Sequence, residues 1–342
     1  MQTRTFVAAI VIAVATSIGL TYYITSTSMA KQAVVHDGHP EMVVSQSVSN
    51  NTPYCDLELY RETDHKLISP VLFTDDKCES PELLSLKNLL ADSIRSLQSR
   101  NQVSRASVYF RDLEKFQWTS FNAFENFHPG SMLKISVLIN ILKQAETDPQ
   151  LFNRMLTLDK SIKLGVSVDP ATKLIPGQSY SVLSLLQAMI FNSDNDATTL
   201  LYKYVDLKLY NKMFQDLHLK APEAEEWNYS LSALDFSRFY RILYNASYLN
   251  RYASEYALKM LSESKFHDGL LKYLPANAKA AHKFGERISE EGFQQFHESG
   301  IVYLNNKAYL LVIMTEGNEM NNLIKSVADI SAVCYRYIEN KG

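Results

Sequence analysis

The chain has 342 residues, 46% hydrophobic and 21% charged, with a net charge of −3 and only 11 glycines and 10 prolines. That is globular composition, long enough for one large domain or two modest ones, and it excludes a low-complexity or disordered chain over most of the length. There is no basic excess and no polybasic tract, so nothing in the charge pattern points to nucleic acid.

Taken in chain order, the first segment stands apart. No charged residue occurs between Arg4 and Lys31, and Phe6 to Ile24 is almost entirely apolar or small, about long enough to cross a bilayer as a helix. Tyr22 and Tyr23 suit the interfacial belt, and Arg4 favours a cytoplasmic amino terminus with the rest outside. The competing reading is a cleaved signal peptide, because Ser28-Met29-Ala30 forms a small-x-small site just before Lys31. Residues 1–30 are therefore expected to be a transmembrane anchor or a signal peptide. Either reading places the remainder outside the cytoplasm, anchored to the membrane in one case, secreted or periplasmic in the other. Residues 31–52 lack periodicity and read as a linker. His36 and His39 within it are too isolated to form a metal site. Residues 53–342 read as the folded domain.

In an oxidising compartment Cys55 and Cys78 either close a loop or remain two thiols, which spacing alone does not decide. Pro81 to Gln98 carries apolar residues at helical spacing, with Ser80 as a candidate cap. Ser104–Asp112 and Lys115–Asn122 alternate and are rich in β-formers, which predicts a hairpin. Ser131 to about Gln187 reads as a helical region, broken at Asp148-Pro149 and Val168-Asp169-Pro170. Ser181–Phe191 is nearly all apolar and predicts a buried helix that stops at the polar run Asn192–Asp196. Helices are expected over Ala197–Val205, Ser232–Tyr244 and Ser254–Glu263. Strands are expected over Ala280–Arg287, Gln294–Asn305 and Lys307–Thr315, with a closing helix over Asn321–Glu339. Cys334 in that last segment reads as a buried small hydrophobe. The order of elements predicts an α+β sandwich: an antiparallel sheet built from both ends of the chain and flanked by helices, plus an inserted all-helical lobe.

Three short stretches carry chemistry. In His128-Pro129-Gly130-Ser131-Met132-Leu133-Lys134 the breakers Pro129 and Gly130 put Ser131 at a helix start. Positions three apart share a helix face, so the Ser131 hydroxyl and the Lys134 amine are expected to meet. An amine desolvated in an apolar helix can lose its proton near neutral pH and act as a base, and an amide at a helix start can steady an oxyanion. Ser193-Asp194-Asn195 lies in the polar loop after the buried helix. Lys283-Phe284-Gly285 lies on a predicted strand.

In this order and on these elements, the three motifs resemble the S-x-x-K, S-D-N and K-T-G set of the penicillin-recognising serine hydrolases, the superfamily of class A β-lactamases and penicillin-binding proteins. The resemblance runs from about Ser80 to the C-terminus. It implies an acyl-enzyme on Ser131 formed from a β-lactam or an acyl-D-Ala-D-Ala peptide such as a peptidoglycan stem peptide, with no cofactor and no metal. It implies Lys134 as base or proton relay and Ser193 as proton donor to the leaving nitrogen. Asn195 would bind a substrate amide carbonyl. Lys283 would lower the Lys134 pKa and attract a substrate carboxylate. The amides of Ser131 and Glu286, beside Gly285, would form the oxyanion hole, and Asp194 would orient its loop.

Two departures shape the expectation. Phe284 stands where the superfamily usually has Thr or Ser. The stretch Lys220–Tyr229 is short and lacks the E-x-x-L-N pattern of the deacylating glutamate. Glu223, Glu225 and Glu226 could supply a base, although a run of acids usually faces water. The chain is therefore read as an exported serine hydrolase with slow deacylation. The alternatives are a non-catalytic binding or scaffold protein of the cell envelope, and glutaminase-like amide hydrolysis, against which the export signal argues.

Overall fold

The computed structural model describes residues 55–159, 167–168, 170–223, 229–289, 292–304 and 307–340. The apolar segment 6–24 and the linker 31–52 lie outside the described residues. Among the described residues, no helix is long and apolar enough to cross a membrane.

The domain starts with an antiparallel hairpin, β1 (Leu57–Arg61) and β2 (Val71–Asp76). Sequence patterning gives no sign of it, because the apolar Leu57 and Leu59 are exposed while the inward residue Tyr60 lies between Leu59 and Arg61. A disulfide between Cys55 and Cys78, 23 residues apart, closes the base of the hairpin and settles the pairing left open above. A turn of 3-10 helix at Pro81–Leu83 leads into α1 (Leu84–Ser99), which buries Leu86, Leu90, Ile94 and Leu97 along one stripe. Ser80 precedes this turn without capping it; its hydroxyl accepts instead from the Trp118 amide.

The first sheet strands are β3 (Arg105–Asp112) and β4 (Trp118–Phe121). The second is shorter than expected because Phe116 takes φ +59°, a left-handed conformation that ends the ladder. The helical lobe follows, with β5 (Asn126–Phe127), a 3-10 turn at Gly130–Leu133 and α2 (Lys134–Ala145). The helical region, read as interrupted only by breakers, also contains a small two-stranded pairing, β6 (Met155–Thr157) with β7 (Ser179–Ser181). Then come α3 (Val182–Phe191), α4 (Asn195–Leu201), an unforeseen α5 (Leu207–Asp216), β8 (Leu231–Ser232) paired with β5, α6 (Ala233–Tyr244) and α7 (Arg251–Ser262). Side chains of Ser181, Asp194, Asp206, Ser232 and Asn250 cap these five helices by accepting a first-turn amide. The chain returns to the sheet as β9 (Lys279–Ile288), β10 (Gln294–Leu304) and β11 (Lys307–Gly317), and closes with α8 (Met320–Asn340).

The main sheet runs β4-β3-β11-β10-β9 and is antiparallel throughout. Its central strand β11 is apolar almost end to end because it feeds two cores. Leu310, Val312 and Met314 face the helical lobe, while Leu311 and Ile313 face a second core with α1 and α8. On the edge strand β9, Ala281 packs into the lobe core and Ala280 and Phe284 into the second. The period of two therefore turns Lys283 and Gly285 toward the lobe. Behind them, His282 and Glu298 form a fully buried pair, Nδ1 to Oε1 at 2.6 Å, and Glu298 Oε2 accepts the Leu270 amide.

The disulfide constrains the unfolded chain by a loop of 23 residues, which corresponds to about 3 kcal/mol in the chain-entropy account. Replacing Cys55 and Cys78 by Ser is expected to lower the unfolding free energy in water by about that amount, read from urea denaturation with the slope fitted for each chain, and so to lower the midpoint. An unaltered midpoint would show that the cross-link does not stabilise the hairpin.

Candidate active site

Three elements meet at the start of α2. The first is the turn Gly130–Leu133, the second the loop between α3 and α4, the third the edge strand β9. Gly130 has φ +54°, and a Cβ there would lie 2.7 Å from the carbonyl oxygen of Glu286. A Cβ on Gly285 would lie 2.3 Å from the Pro129 oxygen and 2.9 Å from the Ser131 nitrogen. Both positions thus need glycine, for backbone approach at both and for conformation at the first. The same approach sets the amides of Ser131 and Glu286 close together at the cleft.

His128 fixes the turn from the other side. Its Nδ1 accepts the Gly130 amide at 3.1 Å, and its carbonyl accepts from Nε2 of His297 on β10 at 3.1 Å. Nδ1 of His297 in turn accepts the Thr315 amide. Burial, aided at His128 by the Arg287 charge, lowers the two imidazoles to about 4 and about 3, so both are neutral hydrogen-bonding struts near neutral pH. Sequence reading missed both roles. The Pro-Gly pair after His128 was the available signal, whereas His297 is recognisable only from its register partner Gly285.

Lys134 is buried and donates to three acceptors of one loop: the Ser193 carbonyl at 2.6 Å, Ser193 Oγ at 3.2 Å and Asn195 Oδ1 at 2.6 Å. Those acceptors match the three donors of an ammonium, which is why the amine is directed to Ser193 and Asn195 and not to the half-buried Ser131 hydroxyl three residues away. The direct Ser131–Lys134 contact expected from spacing is therefore not formed. Asn195 is exposed, and with Oδ1 held by the lysine, Nδ2 is left for an outside acceptor.

Lys283 is fully buried and donates to Ser193 Oγ at 2.8 Å and to the Phe284 carbonyl at 3.0 Å, with its amine 4.1 Å from the Phe284 ring centroid. The Phe284 ring itself packs on Phe266 and Phe296 in the second core. So one hydroxyl, that of Ser193, sits between two buried amines. Ser193 holds this position in a left-handed conformation, φ +53°, which a non-glycine residue seldom adopts.

Burial lowers Lys134 to about 7, opposed by the charges of Asp194 and Glu286. Lys283 is pushed well below the usual lysine range, first by burial and then by the Lys134 charge. Desolvation is the first cause at both amines, and the two like charges beside one hydroxyl repel each other. Full burial also keeps the Lys283 amine from direct contact with a substrate carboxylate in this conformation. Asp194 spends Oδ1 on the Ala197 amide as the α4 cap, and burial raises its pKa. Of the loop acids, Glu223 is exposed and pairs with Lys220 at 3.1 Å, while Glu225 and Glu226 lie outside the described residues.

With Lys134 neutral, Ser193 can accept from Lys283 and donate to Lys134, forming a proton path through one hydroxyl. The arrangement supplies a hydroxyl at a helix start, a near-neutral amine, a proton relay and two amides, which suffices for acyl transfer to serine.

Residues 88–338 match the model of the family described as "Beta-lactamase enzyme family". The fold is shared with PBP-A, solved as an L158E mutant in an acyl-enzyme complex with penicillin G, at 19% identity and TM-score 0.63 over 75% of this chain and 97% of that one. A β-lactamase from Sphaerobacter thermophilus aligns at 17% identity and TM-score 0.63 over 73% and 97% of the two chains. The TLA-3 extended-spectrum β-lactamase aligns at 18% identity and TM-score 0.65 over 74% and 99%. The comparison with curated proteins finds no match.

Gly285→Ala tests the backbone approach. The methyl group pushes β9 off the Ser131 turn, and acylation of Ser131 is expected to slow about 100-fold, as for other small misplacements of reacting groups. Far-UV circular dichroism should be unchanged. Acylation at the wild-type rate would contradict the geometry.

Proposed function

The chain belongs to the beta-lactamase enzyme family and is a serine hydrolase of the β-lactamase type; from that premise we propose that Ser131 forms an acyl-enzyme with a β-lactam or a D-Ala-D-Ala-type peptide. The observation that carries this reading is the placement of Ser193 Oγ at 3.2 Å from the Lys134 amine and 2.8 Å from the Lys283 amine. Neutral Lys134 turns from its Ser193 and Asn195 acceptors toward the hydroxyl three residues away and takes the Ser131 proton as that oxygen attacks the substrate carbonyl carbon. The amides of Ser131 and Glu286 hold the tetrahedral oxyanion. When the carbon–nitrogen bond breaks, the leaving nitrogen takes a proton from the Ser193 hydroxyl, which regains one from the Lys134 ammonium. Lys134 ends neutral, and Lys283 keeps the Ser193 oxygen oriented throughout. Asn195 Nδ2 donates to a substrate amide carbonyl.

Deacylation is the weak step in this scheme. It needs a water and a base placed against the ester. The described loop acid, Glu223, pairs with Lys220 at the surface, and the stretch lacks the E-x-x-L-N pattern, so on this reading the acyl group persists. The enzyme acts outside the cytoplasm, with residues 1–30 as anchor or signal peptide; the Cys55–Cys78 disulfide supports an oxidising compartment.

Incubation with a fluorescent penicillin, followed by intact mass analysis, tests both steps. A single adduct on the wild-type chain that outlasts removal of free penicillin by hours is expected, with none on Ser131→Ala. Neither adduct nor penicillin hydrolysis by the wild type would overturn the acyl-enzyme reading, and an adduct lost within seconds would overturn slow deacylation.

A further inference from the structure

A second site lies away from Ser131, on the β3 side of the sheet, separated from β9 by β11 and β10. It is a cavity of about 420 Å³ between the β1–β2 hairpin, the end of β3 and the C-terminal end of α6. Its charged lining is two arginines, Arg111 and Arg241, each 3% exposed, and the lining contains no acidic side chain. Phe73, Leu113 and Phe116 supply apolar wall, and Asn245 stands at the rim.

Behind the lining, a single carboxylate serves both cations. Asp75 Oδ1 accepts from Arg111 Nη1 at 3.1 Å and Oδ2 from Arg241 Nη1 at 2.8 Å. Arg241 Nη2 donates to the Thr74 carbonyl, its guanidinium lies 4.0 Å from the Phe73 ring centroid, and Arg111 Nη1 also reaches the Tyr109 hydroxyl. These bonds leave Nε and Nη2 of Arg111 and Nε of Arg241 with no protein acceptor among the described residues. Asp112, at the end of β3, gives its carboxylate to the turn amides of Glu114 and Lys115. Two buried cations thus face one anion, with unused donors at a cavity. A guanidinium withdrawn from water needs a counter-charge or acceptors for its N–H groups, and its planar fork matches a carboxylate.

We propose that this cavity binds a small organic carboxylate, its head on the free edges of Arg111 and Arg241 and its apolar body against Phe73, Leu113 and Phe116. The volume falls in the range of small-molecule sites. The ligand supplies the second counter-charge that Asp75 alone does not.

The test uses the full chain with benzoate as probe and benzamide as its uncharged match, followed by ligand-observed NMR. Benzoate is expected to bind at least about tenfold more tightly than benzamide, as for hydrogen bonds to charged groups. Asn245→Asp adds a negative charge at the rim without disturbing the Arg–Asp–Arg cluster, and should weaken benzoate at least about tenfold while leaving benzamide unchanged. Phe116→Ala should weaken both. Equal binding of the two probes, no binding of either, or benzoate binding insensitive to Asn245→Asp would overturn the proposal. In the last case the probe sits elsewhere, the Ser131 cleft included.

Discussion

Two lysine amines sharing one buried serine hydroxyl are the constraint on which the rest of the site depends. Lys134 comes from the first turn of α2, Lys283 from the edge strand β9, and Ser193 from the loop before α4. Three segments far apart in sequence must therefore meet within hydrogen-bond reach. The strand can come this close to the helix start only because Gly130 and Gly285 carry no Cβ. Ser193 meets both amines only by adopting a left-handed backbone, a strained choice typical of functional sites.

Such a cluster is costly. Lys134 titrates lower in the folded chain than the ordinary lysine value of 10.5, so the unfolded chain holds that proton more tightly. The penalty to folding is full below about pH 7 and fades as pH rises toward 10.5. The offset comes from elsewhere. Two apolar cores lie on opposite faces of one antiparallel sheet, side-chain caps start five lobe helices, and a disulfide ties the first hairpin. The two neutral histidines, His128 and His297, hold the Ser131 turn without adding charge near the amines.

Much of this was legible in the sequence where periodicity and breakers were strong. The two-faced strand β11, the amphipathic helices α1 and α8 and the buried helix α3 announced themselves through apolar spacing. The motif residues Ser131, Lys134, Ser193, Asn195 and Lys283 were legible from motif order, and the structure brings them to one place. What patterning could not give is which atoms pair. The spacing of Ser131 and Lys134 suggests a direct bond, yet the loop at Ser193 offers three acceptors and takes the amine. The β1–β2 hairpin escaped because the leucines of β1 face outward, and the cation-rich cavity escaped because Asp75, Arg111 and Arg241 are scattered along the chain.

The account turns on Lys134 being a base near neutral pH by reason of its burial. The most direct measurement is the rate of Ser131 acylation by a penicillin across pH 5 to 9, under single-turnover conditions. The rate should rise about tenfold per pH unit as the neutral amine forms, and level off above about pH 7. A rate that is flat across this range, or still climbing tenfold per unit at pH 9, would contradict the assignment of Lys134 as the base.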